Sequence, residues 1–120
     1  MVDKLENMFK QQHQLQLKLG MLQKIKNNKD KQQYINQQIL AMMEEVVEVM
    51  KESAYKNPQY LKFGWKKNQQ MNKEVMKNEL IDLQHFILNV ALILDMSAQE
   101  FYERYLIKRE ANIARKQNDY

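Results

Sequence analysis

The sequence predicts an all-α fold: a four-helix core completed by a partner chain. Two observations carry the helical class. The 120 residues hold two Gly and one Pro, and are rich in Leu, Met, Lys, Glu and Gln, a composition that favours helix over strand. Apolar residues also recur three and four positions apart in four segments, each separated from the next by a polar or proline-bearing break.

The first segment, from about Asp3 to Lys26, carries Leu5, Met8, Phe9, Gln12, Leu15, Leu19 and Leu22 at helical spacing. The polar run from Lys26 to Asp30 is the first loop. A second helix, roughly Lys31 to Lys56, sets Ile35, Ile39, Met42, Val46, Val49 and Met50 on one face. It stops near Asn57-Pro58, because a residue before proline is pushed out of the α region. Residues 57–71 hold the only Pro and the only Trp and lack clean periodicity, so they form the long loop. A third helix, about Asn72 to Leu94, has Val75, Met76, Leu80, Leu83, Phe86, Ile87, Val90 and Leu94 facing inward. Ser97 and Glu100 have the spacing of a capping box and open a fourth helix with Phe101, Tyr105, Leu106 and Ala111. With no internal repeat, residues 1–120 read as one domain.

Composition excludes several chemistries. Two glycines cannot furnish a P-loop or a dinucleotide-binding turn. The absence of Cys removes disulfides, thiolate metal sites and thiol nucleophiles, and two His are too few for a histidine-built zinc centre. Any metal must then be a hard one held by carboxylates. The polar N-terminus does not resemble a signal peptide, and no apolar run approaches the roughly 20 residues of a membrane span. A soluble, cytoplasmic protein without a membrane partner is the expectation. The net charge of +4 makes polyanions plausible partners without separating nucleic acid from free nucleotides.

Four carboxylates stand where core helices should be apolar. Glu45 and Glu48 lie three apart within ILAMMEEVVEVM, and Glu79 and Asp82 repeat that spacing within ELIDLQHFILNVALIL. Residues at i and i+3 share a helix face. Two helices packed antiparallel would bring four acids together, and partly buried like charges cost several kcal/mol per uncompensated ion. A divalent cation removes that cost, and all-oxygen ligands suit Mg²⁺ or Mn²⁺. A single Glu pair at this spacing is ordinarily a solvated helix face, and spacing alone leaves both readings open. Glu52 extends the stripe by one turn, whereas Glu44 faces another way.

The stretch Ala41-Met-Met-Glu-Glu45-Val-Val-Glu48, with Glu79-Leu-Ile-Asp82-Leu-Gln-His85-Phe86 downstream, resembles the ExxE…ExxD signature of the all-α nucleoside triphosphate pyrophosphohydrolases, the MazG-like superfamily. Within it the chain looks most like the dimeric dUTPases. The loop Leu61-Lys-Phe-Gly-Trp65 is similar to that family's Phe-Lys-x-Trp segment, and His85-Phe86 follows the aspartate as in the family pattern. The end of the chain, from Lys108 through Asn112 and Arg115 to Tyr120, resembles the family's terminal segment. Departures are Arg109, Lys116, Lys51, Gly64 and Asn89, the last falling where a small hydroxyl residue is usual.

The resemblance implies a homodimer that hydrolyses dUTP to dUMP and pyrophosphate. Glu45, Glu48, Glu79 and Asp82 would bind Mg²⁺, which neutralises phosphate charge and activates a water. Glu48, with Glu45 second, would accept that water's proton. Lys108, Arg115 and Tyr120, with Lys62 from the loop, would meet phosphate oxygens. Asn112 would bond the sugar or base, and an N-terminal amide, Gln12 with Gln16 four residues on, would read the uracil. Trp65 would cover the base. Phe86 either fills the space beneath the deoxyribose or is plain core, and His85 is a packing group. Two alternatives remain: a related enzyme acting on dCTP or modified dNTPs, and a basic helical binding module. The second has no use for acids inside apolar runs.

Overall fold

The computed structural model describes residues 3–53 and 70–117, which are helical almost throughout and include no strand. The helices among the described residues are α1 (Lys4–Lys18), α2 (Asn28–Glu52), α3 (Lys73–Ile93) and α4 (Ala98–Gln117), with a 3₁₀ turn at Leu22–Lys24. The all-α expectation holds.

Local chemistry explains most boundaries. Asp3 caps α1 by accepting from the Glu6 N–H, and Asn27 caps α2 by accepting from Asp30. Asn27 therefore starts α2 inside the stretch expected to be loop. Asn72 accepts from the Val75 N–H (3.2 Å) and Ser97 from the Glu100 N–H (3.0 Å). Of the expected capping box only the Ser97 half forms, since the Glu100 carboxylate pairs with Arg104. At the end of α2, Ser53 donates both its N–H and its hydroxyl to the Met50 carbonyl, so the helix ends four residues short of the expected Lys56. The expected stop at Asn57-Pro58 lies outside the described residues.

The first helix ends well before the expected Lys26, and Gly20 is the reason. Its φ of +72° places it in the left-handed region. The Met21 N–H then reaches back to the Gln16 carbonyl and the Gly20 N–H to that of Leu17, which is a Schellman motif. The same motif closes α3 with Asp95 at φ +62°, Met96 bonding to Ala91 and Asp95 to Leu92. A Cβ at Gly20 would meet nothing within 4 Å. Gly20→Ala should therefore cost only the backbone strain, about 1 kcal/mol, read as a lower denaturation midpoint at constant m-value. Gly20→Asn should recover part of the loss.

The described residues group into two compact units: those up to Lys24 together with those from Leu88 onward, and Ile25–Ile87. In the first, Phe9, Leu88 and Ala91 form the buried centre, flanked by Leu5, Leu92, Met96, Ala98 and Phe101. The Phe9 and Phe101 rings meet edge to face, with centroids 5.4 Å apart. The second unit contains α2 and α3 as far as Ile87, with Tyr34 and Gln38 buried. Burial pushes the Tyr34 phenol above its usual value.

The faces expected to turn inward are only partly covered. Ile39, Val46 and Met50 on α2, Leu80 on α3 and Leu94 just past its end, Met8 and Leu15 on α1 and Leu19 at its C-cap are exposed, as are Tyr105 and Leu106 on α4. Periodicity locates an apolar face, but whether this chain itself covers that face depends on tertiary packing. No single helix among the described residues is long and apolar enough to cross a membrane.

Candidate functional site

Within the second unit, the Asn72 N–H donates to the Glu52 carbonyl at 2.9 Å and ties the end of α2 to the start of α3. Glu45 lies seven residues before Glu52, and Glu79 seven residues after Asn72. At ~1.5 Å rise per residue both sit about the same distance from the join. Asp82 follows Glu79 by one turn on the same face. One carboxylate oxygen from each of Glu45, Glu79 and Asp82 lies within 4.8 Å of the others.

The electrostatics of this triad are unfavourable as they stand. Glu45 and Glu79 are half-buried and Asp82 is exposed. Among the described residues, Oε2 of Glu45 is sealed from solvent without a hydrogen-bond partner. Desolvation raises the Glu45 pKa first, followed by hydrogen bonding with Glu79 and then by the charges of Glu79, Asp82 and Glu48. Two ionised carboxylates are both acceptors, so the Glu45–Glu79 bond forms only when one of them holds a proton. The group thus needs a proton or a cation. Three converging carboxylate oxygens fit a hard divalent cation.

Glu48 is not in the triad. It lies one turn further along α2, and its carboxylate pairs with Lys51 at 3.3 Å across largely exposed surface, a contact worth little in stability. Glu52 is half-buried and Glu44 exposed. On α3, Phe86 is half-buried and His85 exposed.

The other expected residues fall in the first unit or outside the described residues. Gln12 and Gln16 are both buried on α1, 4 % and 6 % exposed. Gln12 Nε2 donates to Oδ1 of Asn89, itself 3 % exposed, at 2.6 Å. Lys108 and Asn112 line an open hollow of about 450 Å³ on α4 with Tyr105, Arg109, Ile113 and Lys116. Arg115 is exposed on the last turns of that helix. Lys62, Trp65 and Tyr120 lie outside the described residues.

The residue that sequence reasoning passed over as a partner is Asn89. Its signal was present: a polar amide inside FILNVALIL must find a partner if the stripe is buried. What the pattern withholds is that the partner is Gln12, 77 positions away.

Comparison with known proteins sets this arrangement in a family. A 45-residue stretch is 40 % identical to the dCTP pyrophosphatase of Enterobacteria phage T4; it is 38 % of this chain and 26 % of the phage protein. The chain thus spans about a quarter of the length of that curated relative. No solved structure matches. A family model described as dUTPase matches residues 4–101, from the first residue of α1 through the start of α4 and across every member of the acidic triad. On that match, which covers most of the chain and agrees with its all-α architecture, the protein belongs to the all-α dUTPase family.

Proposed function

We propose that residues 1–120 form one nucleotide pyrophosphohydrolase domain that cleaves dUTP to dUMP and pyrophosphate with Mg²⁺, acting as a cytoplasmic homodimer. The observation that carries this is the convergence of Glu45, Glu79 and Asp82, with one carboxylate oxygen of each within 4.8 Å of the others. In this reading those three residues hold the cation, with Mn²⁺ an alternative to Mg²⁺. When bound, the cation neutralises phosphate charge and lowers the pKa of water in the site. Glu48, one turn from Glu45 and outside the triad, is proposed to join the ligands or to accept the proton released by the attacking water.

Lys108 and Arg115 are proposed to meet the phosphates, Asn112 the sugar or base, and Gln12 with Gln16 the base. Phe86 lies on the same stripe of α3 as Glu79 and Asp82, which suits a place beneath the deoxyribose. Lys62, Trp65 and Tyr120 keep the roles that the resemblance implies. The exposed apolar residues of α2, Ile39, Leu40, Met43, Val46, Val47 and Met50, are the surface a second copy would cover.

The T4 similarity favours a second reading, a dCTP pyrophosphatase on the same chemistry. A panel of dNTPs and NTPs with Mg²⁺, scored for pyrophosphate release, separates the two. Turnover is expected to be fastest on dUTP and to vanish in excess EDTA. Undiminished activity in EDTA would rule out the metal mechanism. Equal rates on dCTP and dUTP would remove the dUTP assignment and leave the reaction type standing.

A further inference from the structure

Gln12 and Asn89 are two buried amides on different helices, joined by a 2.6 Å bond from Gln12 Nε2 to Asn89 Oδ1. A primary amide has a donor end and an acceptor end of nearly equal shape. A free Gln therefore suits a donor–acceptor edge or its reverse by half a turn of the amide. Asn89 removes that freedom. Turning Gln12 over would set its Oε1 against Asn89 Oδ1, two acceptors facing each other where little water reaches. Asn89 takes part in a further interaction as well. Asn89 also stands between Leu88, 1 % exposed, and Ala91, 5 % exposed, so the surrounding packing leaves it little room to move.

We infer that Asn89 is a positioning residue for pyrimidine selection, locking the Gln12 amide so that Oε1 is the end offered to the base. An acceptor held there takes the N3–H of uracil. The same oxygen opposes the N3 lone pair of cytosine, whose nearest donor, the 4-amino group, is displaced by one ring position. Rejection is strong when a site built for one hydrogen bond is left with it unmade. The inference rests on the proposed reading of the base by Gln12. It adds that Gln12 discriminates only while Asn89 holds it.

The test is kcat/KM for dUTP and for dCTP, with Mg²⁺, in the wild type, Asn89→Leu, Asn89→Asp, Gln12→Ala and the Gln12→Ala/Asn89→Leu double variant. Leu keeps the branching at Cγ without an acceptor, and Asp keeps the oxygen that Gln12 bonds. Asn89→Leu should lower the dUTP-to-dCTP ratio about tenfold or more, mainly through KM, and Asn89→Asp should retain most of it. The double variant should discriminate no worse than Gln12→Ala, because Asn89 acts through Gln12. A clasp that merely held the helices together would change stability and leave the ratio alone. Folded Asn89→Leu with a wild-type ratio overturns the inference, and so does Asn89→Asp losing the ratio. Should Asn89→Leu fail to fold, Asn89→Ala, which also removes the acceptor, decides by the same ratio. If Gln12→Ala keeps the wild-type ratio, the base reading by Gln12 fails and takes the inference with it. If Gln12→Ala loses the ratio and Asn89→Leu does not, the inference alone fails. Wild-type protein inert toward every dNTP overturns function and inference together.

Discussion

Glu79→Gln is expected to lower kcat by at least about a hundredfold, since even residues that only support metal ligands cost about 10- to 100-fold when removed. The protein should stay folded and helical. Gln keeps the shape of Glu and can donate to Glu45, whose Oε2 has no partner among the described residues. In EDTA the variant should melt no lower than the wild type, because one of three crowded carboxylates has lost its charge. With excess Mg²⁺ the order should reverse, the wild type gaining stability by mass action and the variant gaining little. A variant with wild-type turnover and wild-type Mg²⁺ stabilisation would remove the triad from the mechanism.

The pH dependence has a definite sign. The folded-state pKa of Glu45 is raised, so between its unfolded value and the raised one the native state binds more protons than the unfolded state. The cation-free protein should then lose stability as pH rises through that window and regain it as pH falls. Glu45→Gln should flatten this part of the profile. Cation binding should run the other way, tightening as pH rises and Glu45 gives up its proton.

Leu88→Ala is the substitution expected to damage the fold most. Leu88 is 1 % exposed, the most buried large side chain among the described residues, and it centres the cluster with Phe9 and Ala91. Removing its side chain should cost about 2–5 kcal/mol from a total of about 5–15. For a chain of this length that is a fall in Tm of roughly ten degrees or more. Met43→Ala is the informative contrast, because Met43 is 60 % exposed in the single chain. It should cost little in a monomer. A loss comparable with that of Leu88→Ala, together with a Tm that rises with protein concentration, would show this α2 face to be covered by a second copy.

How much of this was legible in advance follows the range of each interaction. Helix identity depends on residues three and four apart, so four helices could be read from the apolar spacing. The Ser97 cap was likewise local. The cap at Asn27 and the Schellman turn at Gly20 are local too, but the apolar periodicity running through Leu19 and Leu22 masked the glycine, and the first helix was extended too far. The pairing of Glu45 with Glu48 and of Glu79 with Asp82 was visible because i and i+3 positions share a helix face.

Sequence by itself thus determined the helical class, the pairs of acids and the exclusion of thiol, P-loop and histidine-zinc chemistry. Tertiary structure decided which acids meet. Glu45 joins Glu79 and Asp82, because the join between Glu52 and Asn72 sets the offset of α2 against α3, whereas Glu48 takes a local partner, Lys51, on its own helix. It decided that Gln12 is held by Asn89, a bond no local pattern encodes. It also decided which face of the third helical segment is buried: Leu88 and Ala91, outside the expected inward set, rather than Leu80 and Leu94 within it. The physical reason is common to all three. Helical periodicity is set by backbone hydrogen bonds within a few residues, whereas burial and side-chain pairing depend on how distant segments pack, and one helix's pattern does not specify its neighbour.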